Sequence, residues 1–258
     1  MNLTEHYLSS RLMNRIDLPQ CTSTSDHLKA LIAHGELMDG TWVTTPNQTS
    51  GRGQRGNTWI SSPDSNISAS VYKTWLVFPV EKSFLLSQYI ATVLVEWLTD
   101  LGLTETRLKW PNDLFVGTKK VGGVLIENGV HGKNISYSVI GIGINVYQRE
   151  FGSVTQATSL ALEGLRIDGL EGITSSLLGI ITQAIDEFDV QQEKSITEAF
   201  LQHMYALGTH HWFENKQLGL FQAVVLGTDK QGQLVLEVDK QPMSFGLQEV
   251  SWVFTPTP

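Results

Sequence analysis

Three short stretches of this chain bring positive charge and bare backbone together. Residues 50–59 read SGRGQRGNTW, with Arg52 and Arg55 set among Gly51, Gly53 and Gly56. Further on, Lys109-Trp110-Pro111-Asn112-Asp113 precedes Lys119-Lys120-Val121-Gly122-Gly123. Glycine lets a backbone N–H come close to a ligand oxygen. A guanidinium grips a carboxylate or phosphate through two parallel hydrogen bonds, and a lysine supplies a compact point charge. These residue types suit the holding of small anions, with Asp113 as a carboxylate able to steer or accept a proton.

Other readings of the glycine segment compete. Gly51, Gly53 and Gly56 match G-x-G-x-x-G, but a dinucleotide fingerprint needs a helix opening at its last glycine and an acid about 20 residues on. Here Asn57-Thr58-Trp59 leads into Ser61-Ser62-Pro63, and Tyr72 and Lys73 stand near the acid's position. A kinase glycine loop would be followed by HRD and DFG elements, and neither occurs. Taken alone, the segment also reads as a solvated turn with its arginines facing water. The second lysine-bearing stretch shifts the balance toward a shared site.

Charge narrows the ligand class. The chain carries 18 Lys and Arg against 26 Asp and Glu, a formal net charge of -8, yet residues 48–125 hold eight basic and six acidic side chains. An acidic protein with one mildly basic region is ill suited to gripping a nucleic acid duplex, which wants a long basic face. It suits a small anion. The single cysteine, Cys21, cannot form an intrachain disulfide, and no Cys/His spacing reads as a zinc site. With no secretory signal and no run of 18 apolar residues, a cytoplasmic location and no membrane association are expected.

The elements that must position these residues follow from periodicity. Thr24 and Ser25 offer caps for a helix with Leu28, Leu31 and Ile32 on one face and Gly35 as its stop. A strand over 41–45 leads to the glycine segment, and beyond it Ile67, Ala69 and Val71 alternate with polar residues as in a half-buried strand. Residues 81–101 form the clearest helix, closed by Gly102. The β segments RLKW, LFVG, KKVGGVLIE and ISYSVIGIGINVY follow, with a Gly117-Thr118 turn, and helices return at 173–188 and 195–207. From Phe221 the segments QAVVLGT, GQLVLEV and EVSWVF are short and β-branched. The expected architecture is α+β: a mixed, largely antiparallel sheet with packed helices over 1–209 and a small β-barrel over 210–258.

SGRGQRGNTW, KWPNDLFV, KKVGGVLIE and GIGINV, in this order and spacing, closely resemble the catalytic domain of biotin protein ligases, or holocarboxylase synthetases, over about residues 20–145. The terminal β segment is similar to the SH3-like barrel those enzymes carry. The resemblance implies an ATP-dependent ligase that makes biotinyl-5′-AMP and passes the biotin to a lysine of a biotin carboxyl carrier protein or carrier domain. Biotin and ATP would be its substrates, with Mg2+ carried by the nucleotide. It implies that Lys120 lies between the biotin carboxylate and the α-phosphate, that Arg52 grips the same oxygens, and that Asp113 steers or deprotonates the incoming amine.

By the same resemblance, Ser23, Thr24, Ser25 and Gln48 meet the ureido head of biotin. Gly51, Gly53 and Gln54 line its path, and Gly122 and Gly123 keep the wall beside Lys120 low. Trp59, Arg55, Asn112 and Asn145 would attend the nucleotide, with Trp110 and Pro111 as scaffold. Family members with an N-terminal winged helix also bind DNA, and the roughly twenty residues before Ser23 are too few for one, so a monofunctional ligase without DNA binding, monomeric or homodimeric, is expected. Many members have a basic residue where this chain has Gln54 and Asn57. Two rivals share these features: a lipoate or octanoate ligase of the same superfold, and a non-catalytic biotin-binding module.

Overall fold

A computed structural model of the chain describes residues 14–35, 37–152 and 154–254. Strand β1 (Arg15–Asp17) leads to helix α1 (Thr24–His34) and strand β2 (Trp42–Thr45). The glycine segment forms a miniature hairpin, β3 (Gly51–Arg52) and β4 (Thr58–Trp59), around a single 3-10 turn. Then follow β5 (Asn66–Thr74), α2 (Ser83–Asp100), β6 (Thr106–Lys109), β7 (Asp113–Val116), β8 (Lys119–His131) and β9 (Asn134–Asn145). Helices α3 (Leu170–Glu187) and α4 (Glu193–His203) complete this part.

Seven strands form one sheet in the order β1-β2-β5-β9-β8-β7-β6. β1 and β2 run parallel and the other neighbours antiparallel, so the sheet is mixed and largely antiparallel. Period-two alternation divides its faces. Trp42, Ile67, Ala69, Val71, Ile140, Ile142 and Ile144 join the main core with the apolar faces of α2 and α3, while Val43 and Val139 meet Leu28 of α1 on the other side. Leu28 is fully buried, so truncating it to alanine should cost about 2–5 kcal/mol.

Three details differ from the sequence expectation. The cap of α1 is Ser23, whose hydroxyl accepts from the Asp26 N–H at 3.3 Å, and Gly35 ends the helix at φ 75°. The hydroxyls of Thr24 and Ser25 are thereby released toward β5. That strand is not half-solvated: Asn66 through Val71 are all buried, because its polar face lies under α1. Helix α4 stops at His203, short of the expected 207, since Met204 turns extended and the Tyr205 N–H donates to the Leu108 carbonyl at 2.8 Å.

Past α4 the chain forms β10 (His210–Asn215), β11 (Gly219–Thr228), β12 (Leu234–Val238), β13 (Gln241–Phe245) and β14 (Ser251–Val253). These make a five-stranded antiparallel sheet, β13-β12-β11-β10-β14, compatible with the SH3-like barrel expected. Its buried Phe213, Val225, Leu234 and Leu236 belong to one continuous core with Phe200 and Met204. Trp110 reaches across, its indole N–H donating to the Gly232 carbonyl at 2.8 Å. No helix among the described residues is long and apolar enough to cross a membrane.

Candidate functional site

A cleft of about 410 Å³ opens on the α1 side of the large sheet, where the glycine hairpin, the β6–β7 turn and the terminal strands meet. Its floor is made of glycines. Along β9 the isoleucines of G-I-G-I face the core, which leaves Gly141 and Gly143 facing the cleft beside Gly123 of β8. A Cβ at Gly143 would lie 2.6 Å from the Trp59 ring, and one at Gly141 2.7 Å from Ser25 Oγ. Any side chain at either position would fill the space that the residues above it use.

Lys120 owes its place to an irregularity. Lys120 and Gly123 are three residues apart in β8, an odd spacing that would put them on opposite faces of a regular strand. Between Leu114 and Phe115 the register shifts: Leu114 pairs with Gly122, but Phe115 with Lys120. The extra residue, Val121, is a β-bulge, and it returns Lys120 to the cleft face. There its ammonium lies 2.5 Å from Asp113 Oδ1 and 5.7 Å from the centre of the Trp59 ring. The segment after β9 braces it from behind. The Lys120 N–H donates to the Gln156 carbonyl and the Thr158 N–H to the Lys120 carbonyl, both at 2.8 Å.

Arg52 reaches the cleft from the hairpin. Its guanidinium pairs with Glu127 and, at 3.0 Å, with Asp26, while Lys29 bonds the other Glu127 oxygen at 2.5 Å. Burial pushes the Glu127 carboxyl up, but the hydrogen bonds and charges of Lys29 and Arg52 outweigh it and hold the group below the ordinary range. Arg52 Nε and Trp59 Nε1 are buried with no acceptor. Buried donors are nearly always satisfied, so these two N–H groups on cleft-lining side chains define where a ligand oxygen would be welcome.

The far end of the cleft is polar but uncharged. Ser23, Thr24 and Ser25 are buried there, and Ser70 of β5 joins them, its hydroxyl 2.7 Å from Thr24 Oγ1 and 2.9 Å from Ser25 Oγ. Gln48 Oε1 accepts from the Thr24 N–H at 3.0 Å. Hydroxyls and an amide around apolar walls suit a neutral polar group such as a urea.

Most residues singled out in the sequence line this one cleft, among them Arg52, Gly53, Gln54, Asn112, Asp113 and Lys120. Three are placed otherwise, and the side chain of a fourth is not described. Gly51 backs the hairpin, where a Cβ would meet Gln48 Nε2 at 2.5 Å and the Trp59 carbonyl at 2.6 Å. Gly122 faces the core, with Ile144 Cδ1 2.6 Å from a built Cβ, so only Gly123 of that pair lowers the cleft wall. Asn145 is buried and donates to the Thr158 carbonyl at 2.8 Å, with its Oδ1 unpaired. The Arg55 side chain lies outside the described residues. Sequence reasoning missed Ser70, Gly141, Gly143, Gln156 and Trp252 as lining residues and gave Lys109 no role. The G-I-G-I alternation was the one available signal among them.

Comparison with known proteins bears on this arrangement. Residues 18–145 match the model of the biotin/lipoate A/B protein ligase family. The bifunctional ligase/repressor BirA of Escherichia coli is 30% identical over 237 residues, covering 86% of this chain and 68% of that protein. Its namesake in Bacillus subtilis is 27% identical over 215 residues, covering 81% of this chain and 65% of its own length. The chain thus spans about two thirds of these relatives. Among solved structures, the biotin protein ligase of Aquifex aeolicus in complex with biotin and ATP superposes with a TM-score of 0.72 at 26% identity, covering 92% of this chain and 97% of that one.

Proposed function

Because this chain belongs to the biotin/lipoate A/B protein ligase family, we propose that it activates biotin with ATP as biotinyl-5′-AMP and transfers the biotinyl group to a lysine of a carboxylase carrier domain. The observation that supports this reading best is the convergence of Arg52, Lys120 and Asp113 on a glycine-floored cleft whose other end is lined by Ser23, Thr24 and Ser25. One end is built for anions and the other for a neutral polar head.

In the first step a biotin carboxylate oxygen bonds to the α-phosphorus of ATP. The bond from that phosphorus to the bridging oxygen breaks, and the electron pair leaves with pyrophosphate. The protein's work is to hold two anions together and to stabilise phosphoryl charge, which positioned cations and amides do well. Lys120 and Arg52 fill that role, with Trp59 Nε1 as a further donor. Magnesium would enter as the counter-ion of ATP.

In the second step the acceptor amine gives up a proton and attacks the biotinyl carbonyl. A C–N bond forms, the C–O bond to phosphate breaks, and AMP leaves. Asp113 is the base or guide for that amine. While Lys120 occupies it the carboxylate is masked, and it becomes available once Lys120 turns to the phosphate.

Pyrophosphate release from ATP tests the proposal. It should depend on biotin, and Lys120→Ala should lower it by about 10²–10³-fold, the usual loss when an aimed charge donor is removed. Release driven by lipoate or octanoate and not by biotin would identify a different acid. ATP-independent binding of biotin without turnover would identify a binding module.

A further inference from the structure

Four charged side chains from three elements meet beside the glycine hairpin. Asp26 and Lys29 stand one turn apart on α1, with 3.7 Å between carboxylate and ammonium. Arg52 ends β3, and Glu127 lies on β8, on the same face as Gly123 and Leu125, which line the cleft. The guanidinium commits one nitrogen, Nη2, to both carboxylates, and Lys29 takes the second oxygen of Glu127. The Nε–H beside it is left buried and without an acceptor, on a residue that lines the cleft.

A guanidinium on a flexible stem has no fixed direction until its nitrogens are held. Holding Nη2 from a helix on one side and a strand on the other sets where the neighbouring Nε–H points. The arrangement also carries an electrostatic penalty. One arginine between two carboxylates makes a local sum of −1, which repels the anions that Arg52 is placed to meet. Lys29, paired with Glu127 and close to Asp26, brings the sum to zero. The four side chains are between 29% and 44% exposed, so each of these interactions is modest and weakened by salt.

We propose that Glu127 and Lys29 are positioning residues for Arg52: Glu127, together with Asp26, aims the guanidinium so that its Nε–H faces the ligand, and Lys29 cancels the negative charge that this aiming would otherwise set against an anion. Both act through Arg52. The proposal rests on the function given above for the identity of the anion, a biotin carboxylate on its way to an acyl phosphate.

Calorimetric binding of biotin and of biotinamide, whose tail is neutral, to the full-length chain tests the charge balance. Lys29→Gln should weaken biotin by about 3–5-fold, the scale of a charge interaction between half-exposed groups, and the deficit should shrink as ionic strength rises. Biotinamide should bind as before. Adding Asp26→Asn to Lys29→Gln returns the sum to zero and should recover the affinity for biotin, and Lys29→Arg should keep most of it. A loss shared by both ligands, or one that the second substitution deepens, would make Lys29 a packing residue and overturn the proposal. In Glu127→Gln the kcat of biotin-dependent pyrophosphate release should fall about 10-fold with no rise in the KM for biotin, because a misdirected guanidinium impairs the step while a lost negative charge favours the carboxylate. A raised KM at unaltered kcat would refute the aiming. A wild-type chain that binds no biotin at millimolar concentration overturns both this proposal and the ligase reading. If biotin binding follows the charge series but drives no pyrophosphate release, the ligase reading falls and the charge balance at Arg52 stands.

Discussion

The ammonium of Lys120 and the carboxylate of Asp113 lie 2.5 Å apart at the wall of the cleft, each on its own strand of a bulged pair. An aspartate so engaged cannot meet an incoming amine until its partner leaves. Asp113→Asn should therefore separate the two half-reactions. Transfer from supplied biotinyl-5′-AMP to a carrier domain should fall by roughly 10²-fold, in the range of a lost general base, while biotin-dependent pyrophosphate release should fall much less. Rapid-quench measurement of each half-reaction decides the matter, and equal losses would make Asp113 only a holder of Lys120.

The glycine floor gives a second expectation. Gly143→Ala would bring a methyl group to 2.6 Å from the Trp59 ring and 2.7 Å from its next nearest atom. Since overpacking in a tight site costs about 1–3 kcal/mol, the variant should still fold, with Trp59 displaced from its seat. Trp59 fluorescence, with the other tryptophans as background, and the KM for ATP should both change. Gly141→Ala presses instead on Ser25 Oγ at 2.7 Å, and should raise the KM for biotin while leaving that for ATP nearly unaltered.

Gln54 lines the cleft, at a place where the family resemblance leads one to expect a basic side chain. A neutral amide attracts an acyl phosphate less than a guanidinium does. Gln54→Arg should slow the release of biotinyl-5′-AMP by about 10-fold, the size of one charge-assisted contact. Stopped-flow displacement of the intermediate provides the reading, and identical off-rates would remove Gln54 from the account.

Acid stability follows from three carboxylates. Hydrogen bonds from Arg15 hold Glu171 below its ordinary value of 4.5. For Glu127, ordinarily also 4.5, burial is outweighed by Lys29 and Arg52, and for Asp39, ordinarily 3.8, by Thr74 and Lys73. A depressed folded value means that the unfolded chain binds more protons at low pH. The stabilisation is therefore complete above the ordinary values and is lost as pH falls through the folded ones. Urea midpoints measured from pH 6 to pH 3 should hold steady and then drop below about pH 4.5. Glu127→Gln should make that drop shallower, and an unchanged profile would mean that Glu127 carries no net linkage.

The parts of this molecule that could be foreseen are those in which local chemistry and tertiary packing agree. α2 announces itself by a broad apolar face, and Arg52 and Lys120 by the glycines around them. Ser70 and Gln156 gave no such sign, because their contribution depends on partners distant in the chain: Thr24 and Ser25 for the first, the backbone of Lys120 for the second. The cap at Ser23 was misplaced by one residue among four consecutive hydroxyl-bearing candidates, Thr22 to Ser25, which composition alone does not rank. Lys109 stood out as part of a charged stretch but gave no sign of its surroundings, since its aromatic cage closes only when Trp252 and Phe254 return from the other end of the chain.

Val121 contributes no functional group, yet it sets the phase of the residues that precede it in β8. Deleting it would leave Leu114 and Gly122 free to pair as before while rotating the amine to the core side of the sheet and removing a fully buried side chain, a loss of chemistry and of packing together. What must be inherited at this point is a count of residues, with an apolar side chain on the one inserted.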